Sequence, residues 1–209
     1  MPDPYATIAL ADPSMQARLA DVLELRASDS QQRAMLRAYL SEIELPAGAR
    51  ALEVGCGTGA VSRALAEFLH CVVTGVDPSP VFVTGARELG KALPGLTFMQ
   101  GDGRSLALRD ASFDLVVFHT TLCHIPDPEA ALRDALRVLR PAGWLAIFDG
   151  DYATTTVAID AFDPLHPLVD AMVANFVHDP WLTRRFSRTL TALGFRVQSP
   201  AKPRLHSDG

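Results

Sequence analysis

An apolar run leads directly into three alternating glycines at residues 52–59, whose sequence is LEVGCGTG. Gly55, Gly57 and Gly59 permit backbone conformations that side chains disfavour, and they let a ligand approach the main chain closely. A helical pattern begins at Ala60, so the glycines occupy the turn between a strand and a helix. This arrangement predicts a ligand-binding turn in an α/β fold, and it also satisfies the fingerprint of dinucleotide-binding enzymes. The alternative is a tight turn with a structural role alone.

Short apolar runs alternate with helical patterns through the middle of the chain, an order typical of βαβ units around a parallel sheet. Ser79 before Pro80 and Asp127 before Pro128 are the residue types preferred where helices begin. We therefore expect a doubly wound α/β sheet of mostly parallel strands. The predicted strands cover residues 51–54, 72–76, 96–99, 113–118 and 144–148, and the predicted helices between them cover 60–69, 81–92 and 128–139.

Helical patterns also occur before and after this alternation. Two amphipathic patterns, from Met15 and from Ser30, precede the first strand. Residues 165–177 and 182–193 are predicted helices, and residues 195–197 are a candidate for one more short strand. The chain beyond them has no periodic pattern and is predicted to be disordered. The predicted organisation is an N-terminal helical cap at 1–48, an α/β domain at 49–198 and a tail at 199–209.

The charge and the apolar content exclude several classes of protein. With 19 basic and 24 acidic residues the net charge is −5, and the basic residues are scattered, so nucleic acid is not an expected partner. No apolar run is long enough for a membrane span, and residues 1–7 lack the features of a signal peptide, so we expect a cytoplasmic protein without a membrane partner. Three cysteines without a C-x-x-C pair suggest neither a disulfide framework nor a zinc site.

Asp77 ends the second predicted strand, about 20 residues past the glycine turn. A carboxylate at this distance is placed to accept hydrogen bonds from ribose hydroxyls, and each such bond contributes roughly 1.5 to 3 kcal/mol. The alternative is that Asp77 caps the following helix, but Ser79 is better placed for that role. The glycines and Asp77 together predict a nucleotide-like ligand.

Five motifs occur in the same order as in a known enzyme family. Besides the glycine turn they are GVDPS, GDG, SFDLVV and VLRPAGWL, at residues 75–79, 101–103, 112–117 and 138–145. From about residue 34 to residue 197, the chain resembles the class I S-adenosylmethionine-dependent methyltransferases. The resemblance is greatest to their ubiquinone and menaquinone biosynthesis branch and its small-molecule relatives. A dinucleotide-binding oxidoreductase would account for the glycine turn and Asp77 alone.

The resemblance implies a Rossmann-like fold of the class I methyltransferase type, with S-adenosylmethionine as the cofactor of the domain at 49–198. The N-terminal helices would cover the cofactor and part of the acceptor pocket. The crevice outside the carboxyl ends of the strands is also where open α/β sheets bind ligands. The residues implied are Glu53, Gly55, Gly57, Thr58 and Gly59 at the methionine part, Asp77 with the adjacent Pro78 at the ribose, Asp102 and Gly103 at the adenine, and His119 near the transferable methyl group.

Two histidines after the fourth strand are the candidates for acid–base chemistry on an acceptor. Either His119 or His124 could deprotonate a hydroxyl, amine or thiol, although direct in-line transfer does not require a base. For His124 the favoured interpretation is that it anchors the following loop and helix by hydrogen bonding. Asp149 and Asp151 could bind a divalent cation, but a solvated loop is the favoured interpretation, and no metal is assigned.

The C-terminal part departs from the pattern of the family. Class I members usually end with two further strands, whereas this sequence offers only 195–197, so the final strand is predicted to be missing. The fifth strand would then keep an unpaired edge, which we expect to be a point of self-association or of instability.

The predicted function is methyl transfer from S-adenosylmethionine to a small-molecule acceptor whose identity the sequence does not reveal. Two alternatives stay open: a protein that binds the cofactor without catalysis, and a nicotinamide-dependent oxidoreductase.

Overall fold

A sheet of five parallel strands lies at the centre of the computed structural model, which describes residues 3–160 and 162–198. The order across the sheet is β3-β2-β1-β4-β5, and every neighbouring pair runs parallel. The winding reverses between β1 and β4, which places a crevice outside the carboxyl ends of these strands. The predicted α/β sheet is confirmed. The strands are β1 (Arg50–Val54), β2 (Val72–Asp77), β3 (Leu96–Gln100), β4 (Phe113–His119) and β5 (Leu139–Phe148).

Seven α-helices are present in the described part of the chain, and four of them begin with a side-chain cap, including the expected caps Ser79 and Asp127. Asp12, Asp29, Ser79 and Asp127 each accept a backbone N–H bond at the start of a helix. None of the described helices has the length and apolar character needed to span a bilayer. The helices are α1 (Pro13–Ser28), α2 (Ser30–Leu40), α3 (Ala60–Leu69), α4 (Pro80–Gly90), α5 (Pro128–Val138), α6 (His166–Phe176) and α7 (Phe186–Ala192).

The two faces of the sheet are buried by different helices. Alternate residues of a strand point to opposite faces, so Leu52 and Val116 pack with Leu132 of α5 on one side. Ala51 and Leu115 pack with Leu65 of α3 on the other side, where α2 adds Leu36 and Leu40. Because both faces are covered, the central strands are apolar along almost their whole length.

The C-terminal part differs from the sequence prediction in two places. Residues 195–197 do not form a strand, and the predicted helix at 182–193 divides into a 3₁₀ turn, Leu182–Arg185, and α7. The 3₁₀ turn contributes a buried Leu182 to the core, and Phe195 packs against that core without pairing to the sheet. A short apolar segment can bury its side chains against the core without forming a strand, so apolar residues alone do not predict one.

The outer edge of β5 has no paired strand in the part of the chain that the structure describes. β5 begins at Leu139, five residues earlier than predicted, because Leu139 already pairs with Phe113 of β4. The register then shifts, and regular pairing continues from Leu115 and Trp144. Association or instability at this edge therefore stays a prediction. The predicted disorder of residues 199–209 lies outside the described residues.

Candidate functional site

A cavity of about 630 Å³ opens at the carboxyl ends of the strands, a size typical of small-molecule sites. The ends of β1, β2 and β4 and the loop after β3 form its floor, while the segment before α1, the helices α1 and α2, and the later helix α6 cover it. Nine of the ten residues assigned to the cofactor by resemblance line this cavity: Glu53, Gly55, Gly57, Thr58, Asp77, Pro78, Asp102, Gly103 and His119.

Gly59 is the tenth residue of that set, and the residues lining the cavity do not include it. It precedes α3 with φ +78°, and an added Cβ would lie 2.7 Å from the Phe98 ring. Its lack of a side chain lets the start of α3 approach Phe98 of β3. The structure thus gives Gly59 a packing role, which a glycine spacing in sequence does not separate from ligand contact.

The glycine turn is held by backbone hydrogen bonds to β2. Gly55 and Cys56 both donate their N–H to the carbonyl oxygen of Val76, at 2.8 and 3.0 Å. Gly55 and Gly57 have φ of +73° and +52°, a region that side chains disfavour. The turn therefore presents main chain to the cavity in a conformation that glycine permits.

Asp77 joins the glycine turn to the end of β2. Its Oδ2 accepts the Gly57 N–H at 2.8 Å and its Oδ1 accepts the Ser79 N–H at 2.9 Å. Burial raises the pKa of Asp77 to about 6, and these two hydrogen bonds oppose the rise. Ser79 caps α4 through the Phe82 N–H, as expected, so Asp77 is not needed for that role. Asp77 therefore shapes the turn and still lines the cavity.

Thr58 is the one residue of the turn with an unused polar side chain. Its Oγ1 is buried and has no hydrogen-bond partner among the described residues. The Thr58 carbonyl oxygen accepts from Arg63 Nη1 at 2.8 Å, and Arg63 pairs with Glu24 of α1, also at 2.8 Å. This chain of contacts ties the covering helix α1 to the turn.

Glu53 lies fully buried under the glycine turn. It accepts a 2.5 Å hydrogen bond from the hydroxyl of Ser62 in α3. Burial raises the pKa of Glu53 to about 8, and the Ser62 hydrogen bond opposes the rise. Burial therefore favours the neutral, protonated form of this carboxyl.

We expect Glu53→Gln to make the free energy of unfolding less dependent on pH between about 4.5 and 8. The folded-state pKa of about 8 exceeds the ordinary 4.5, so folding binds a proton and the free energy of unfolding falls as pH rises between these values. The slope approaches about 1.4 kcal/mol per pH unit, and Glu53→Gln removes it. Urea unfolding at several pH values measures the difference. Glu67→Gln on the exposed side of α3 is the control, and an unchanged slope in Glu53→Gln would contradict the assignment.

Asp102 and Gly103 follow β3 and reach the cavity from the other side of the turn. Asp102 forms an ion pair with Arg104, with 2.7 Å between Oδ2 and Nη2, and this ion pair lowers the pKa of the carboxyl. A Cβ on Gly103 would lie 2.5 Å from Val54, so only glycine allows this approach to β1. Pro78 lines the cavity beside Asp77.

His119 ends β4 inside an aromatic cluster. Its ring stacks on Phe148 at 4.9 Å between ring centres, and its Nδ1 lies 3.0 Å from the Tyr39 hydroxyl of α2. Burial, with a smaller contribution from the positive charge of Arg26, lowers the pKa of His119 to about 4. His119 is therefore a neutral wall of the cavity.

His124 contacts a partner far away in the sequence. Its Nδ1 donates to Oδ2 of Asp3 at 2.8 Å, and the Tyr5 ring packs on it at 4.8 Å. The expectation that His124 anchors the following loop and helix is thus corrected, because the hydrogen bond fastens the N-terminal segment. Asp3 carries no motif in sequence, and a contact across 121 positions has no local signal.

The remaining wall of the cavity is mostly apolar. Residues of α6, among them Met172 and Phe176, line it together with Leu36 of α2 and Ile8 of the N-terminal segment. Arg26 of α1 also lines the cavity and has no ion-pair partner among the residues described. Neither α6 nor Arg26 was singled out by the sequence analysis, because an amphipathic helix is equally expected to pack anywhere on the sheet.

The two aspartates after β5 make contacts within the protein. Asp149 accepts the N–H of Cys123 at 3.1 Å, and Asp151 forms an ion pair with Arg184 at 3.0 Å. The residues described contain no group of three ligating side chains placed to hold a metal ion. All three cysteines are buried and unpaired.

Comparison with known proteins connects this geometry to one family. Residues 52–147 match the family model described as "Methyltransferase domain". Cycloartenol-C-24-methyltransferase of Arabidopsis thaliana is 32% identical over 165 residues, which cover 75% of this chain and 47% of that protein. Demethylmenaquinone methyltransferase of Staphylococcus haemolyticus is 30% identical over 62% of this chain and 55% of its own length. The chain spans about half of the length of these curated relatives.

Solved structures agree in fold. A SAM-dependent methyltransferase from Aquifex aeolicus is similar with a TM-score of 0.64 and 22% identity, over 90% of this chain and 91% of that one. The cyclase SpnF is 32% identical with a TM-score of 0.54, over 59% of this chain and 48% of that one. Similarity in this fold therefore extends to a protein that is named as a [4+2]-cyclase.

Proposed function

Because this chain contains a methyltransferase domain of the class I S-adenosylmethionine-dependent family, we propose that it binds S-adenosylmethionine and transfers the methyl group to a small, largely apolar acceptor. The observation that carries the proposal is the shared cavity: the glycine turn, Asp77 and the Asp102–Gly103 pair come from three strand ends and line one space. A structural turn alone would not require these three features to meet.

The residues present fit the proposed cofactor. The buried Thr58 hydroxyl lacks a partner in the described structure and lies where a polar ligand group would satisfy it. Glu53 and the glycine turn would hold the methionine part, Asp77 the ribose, and Asp102 with the Gly103 amide the adenine. When bound, S-adenosylmethionine supplies a methyl group that its sulfonium already activates.

The protein's own task is then to position the acceptor and to exclude water. The covering segment with Ile8 and the helix α6 with Met172 and Phe176 supply an apolar surface for an acceptor. The names of two relatives, which refer to cycloartenol and demethylmenaquinone, agree with an acceptor of this character. His119, neutral and packed against Tyr39 and Phe148, forms part of the wall next to the proposed methyl position.

Calorimetry with S-adenosylhomocysteine and with NAD tests the proposed ligand. We expect S-adenosylhomocysteine to bind and NAD not to bind. Asp77→Asn should weaken S-adenosylhomocysteine binding by about 10- to 100-fold, because hydrogen bonds to a charged carboxylate contribute roughly 1.5 to 3 kcal/mol. Asp110→Asn is the control, since Asp110 is exposed and does not line the cavity.

Binding of NAD without binding of S-adenosylhomocysteine would refute the proposal in favour of an oxidoreductase. Transfer of a labelled methyl group into a metabolite extract tests turnover. Tight binding of S-adenosylhomocysteine without transfer into any extract component would instead favour a cofactor-binding protein without methyltransferase activity.

A further inference from the structure

Asp3 and His124 form a buried pair next to the cavity, which His124 lines. The side chain of Asp3 is 5% exposed and that of His124 is 16% exposed, so little water competes for the hydrogen bond between them. Asp3 is itself held in place: its Oδ1 accepts the Tyr5 N–H at 2.9 Å and its Oδ2 accepts the His178 N–H at 3.0 Å. Three separate parts of the chain thus converge on one carboxylate.

This arrangement determines which nitrogen of His124 is free. A carboxylate oxygen only accepts hydrogen bonds, so the 2.8 Å contact requires the proton to be on Nδ1. Nε2 then carries the lone pair, and it has no hydrogen-bond partner among the residues described. Since His124 lines the cavity, Nε2 is the nitrogen left to meet a ligand there.

The other histidine of the cavity is unsuited to take up a proton. The pKa of His119 is lowered to about 4 by burial, and its Nδ1 is already engaged with the Tyr39 hydroxyl. His124 instead has no hydrogen-bond partner at Nε2 among the residues described, and the Asp3 carboxylate holds its ring through Nδ1, as in other carboxylate–histidine pairs.

We propose, resting on the methyltransferase function above, that His124 is the general base and that Asp3 is the residue that positions it. The acceptor class that needs this pair is an apolar molecule with a phenolic or alcoholic hydroxyl. A hydroxyl must lose its proton as it attacks, whereas a thiol ionises readily by itself and an amine already offers its lone pair.

In the proposed step the hydroxyl proton moves to Nε2 of His124. The acceptor oxygen forms a bond to the methyl carbon with its electron pair, and the bond between that carbon and sulfur breaks with its electrons left on sulfur. The products are the methyl ether of the acceptor, S-adenosylhomocysteine and protonated His124, which returns its proton to water.

The first test reads the imidazole directly and needs no acceptor. In ¹⁵N NMR of the labelled protein with S-adenosylhomocysteine, His124 should be protonated on Nδ1 and not on Nε2. Asp3→Ala should remove this preference for the Nδ1 tautomer, because no carboxylate then accepts a hydrogen bond from Nδ1. A wild-type His124 that carries its proton on Nε2 would overturn the proposal.

The second test compares two acceptor probes of equal shape, para-hexylphenol and para-hexylthiophenol. His124→Gln should lower kcat for the phenol by about 10²- to 10⁴-fold and leave kcat for the thiophenol within about three-fold, since only the phenol needs a base. His70→Asn, an exposed histidine at the end of α3, is the matched control and should change neither rate.

Equal losses on the two probes would overturn the base role and leave His124 a structural anchor. Calorimetry on the same variants separates this failure from that of the proposed function. S-adenosylhomocysteine could bind His124→Gln and wild type alike while the phenol and thiophenol rates fall together. The assignment of His124 as the general base would then be wrong, and the assignment of the cofactor would stand.

Discussion

Gly55→Ala is expected to weaken S-adenosylhomocysteine binding by about 30-fold or more, from strain and overpacking that together cost roughly 2 to 5 kcal/mol. Gly55 has φ +73°, and an added Cβ would lie 2.2 Å from Thr121 Cγ2 and 2.7 Å from Thr121 Oγ1. Thr121 follows β4 and lines the same cavity, so relief of the collision displaces either the glycine turn or the cavity wall. Calorimetry measures the loss of affinity and thermal unfolding measures the accompanying loss of stability.

The matched control is Gly85→Ala in α4. An added Cβ at Gly85 meets nothing within 4 Å. Alanine there should raise stability by about 0.5 to 1 kcal/mol, because glycine is a poor residue in a helix interior, and should leave binding unchanged. If Gly55→Ala binds S-adenosylhomocysteine within a few-fold of wild type, the glycine turn is not part of the ligand site.

Leu132→Ala should lower the free energy of unfolding by about 2 to 5 kcal/mol. Leu132 is 1% exposed and attaches α5 to the face of the sheet that contains Val116 and Phe118. Alanine removes buried apolar surface and leaves a cavity that the surrounding strands are too constrained to fill. Urea unfolding followed by circular dichroism measures the change.

Leu136→Ala, one turn further along α5, provides the comparison within the same helix. Its side chain is 41% exposed, and alanine is a better helix former than leucine. We expect a loss below about 1 kcal/mol, because little surface is returned to water. Similar losses at the two positions would show that α5 does not pack on the sheet through Leu132.

The parts of the fold and site that sequence reasoning predicted all have local causes. The five strands, the helices between them and the capping residues Ser79 and Asp127 follow from apolar periodicity and from residue types that satisfy free backbone N–H groups. The glycine turn and Asp77 were recognised for the same reason, since their spacing relative to the strands fixes which edge of the sheet they occupy. These predictions needed only neighbours within one βαβ unit.

Contacts between distant segments were decided by tertiary structure alone. The hydrogen bond from His124 to Asp3 joins residues 121 positions apart, and no periodic pattern encodes such a pair. Gly59 packs on Phe98, and residues 195–197 do not join the sheet. The sequence did not predict either outcome, because both depend on residues that are distant in the chain.

The amino-acid sequence by itself therefore determined that the chain forms an α/β sheet and that the glycine turn lies at the carboxyl ends of its strands. Apolar periodicity and the residue types of the turns were sufficient for both. Only the tertiary structure decided how the cavity is closed. The segment before α1 and the helix α6 reach it through buried contacts such as those of Asp3 and Val169. Burial of this kind depends on the three-dimensional packing of the whole domain and leaves no local pattern in the residues that take part.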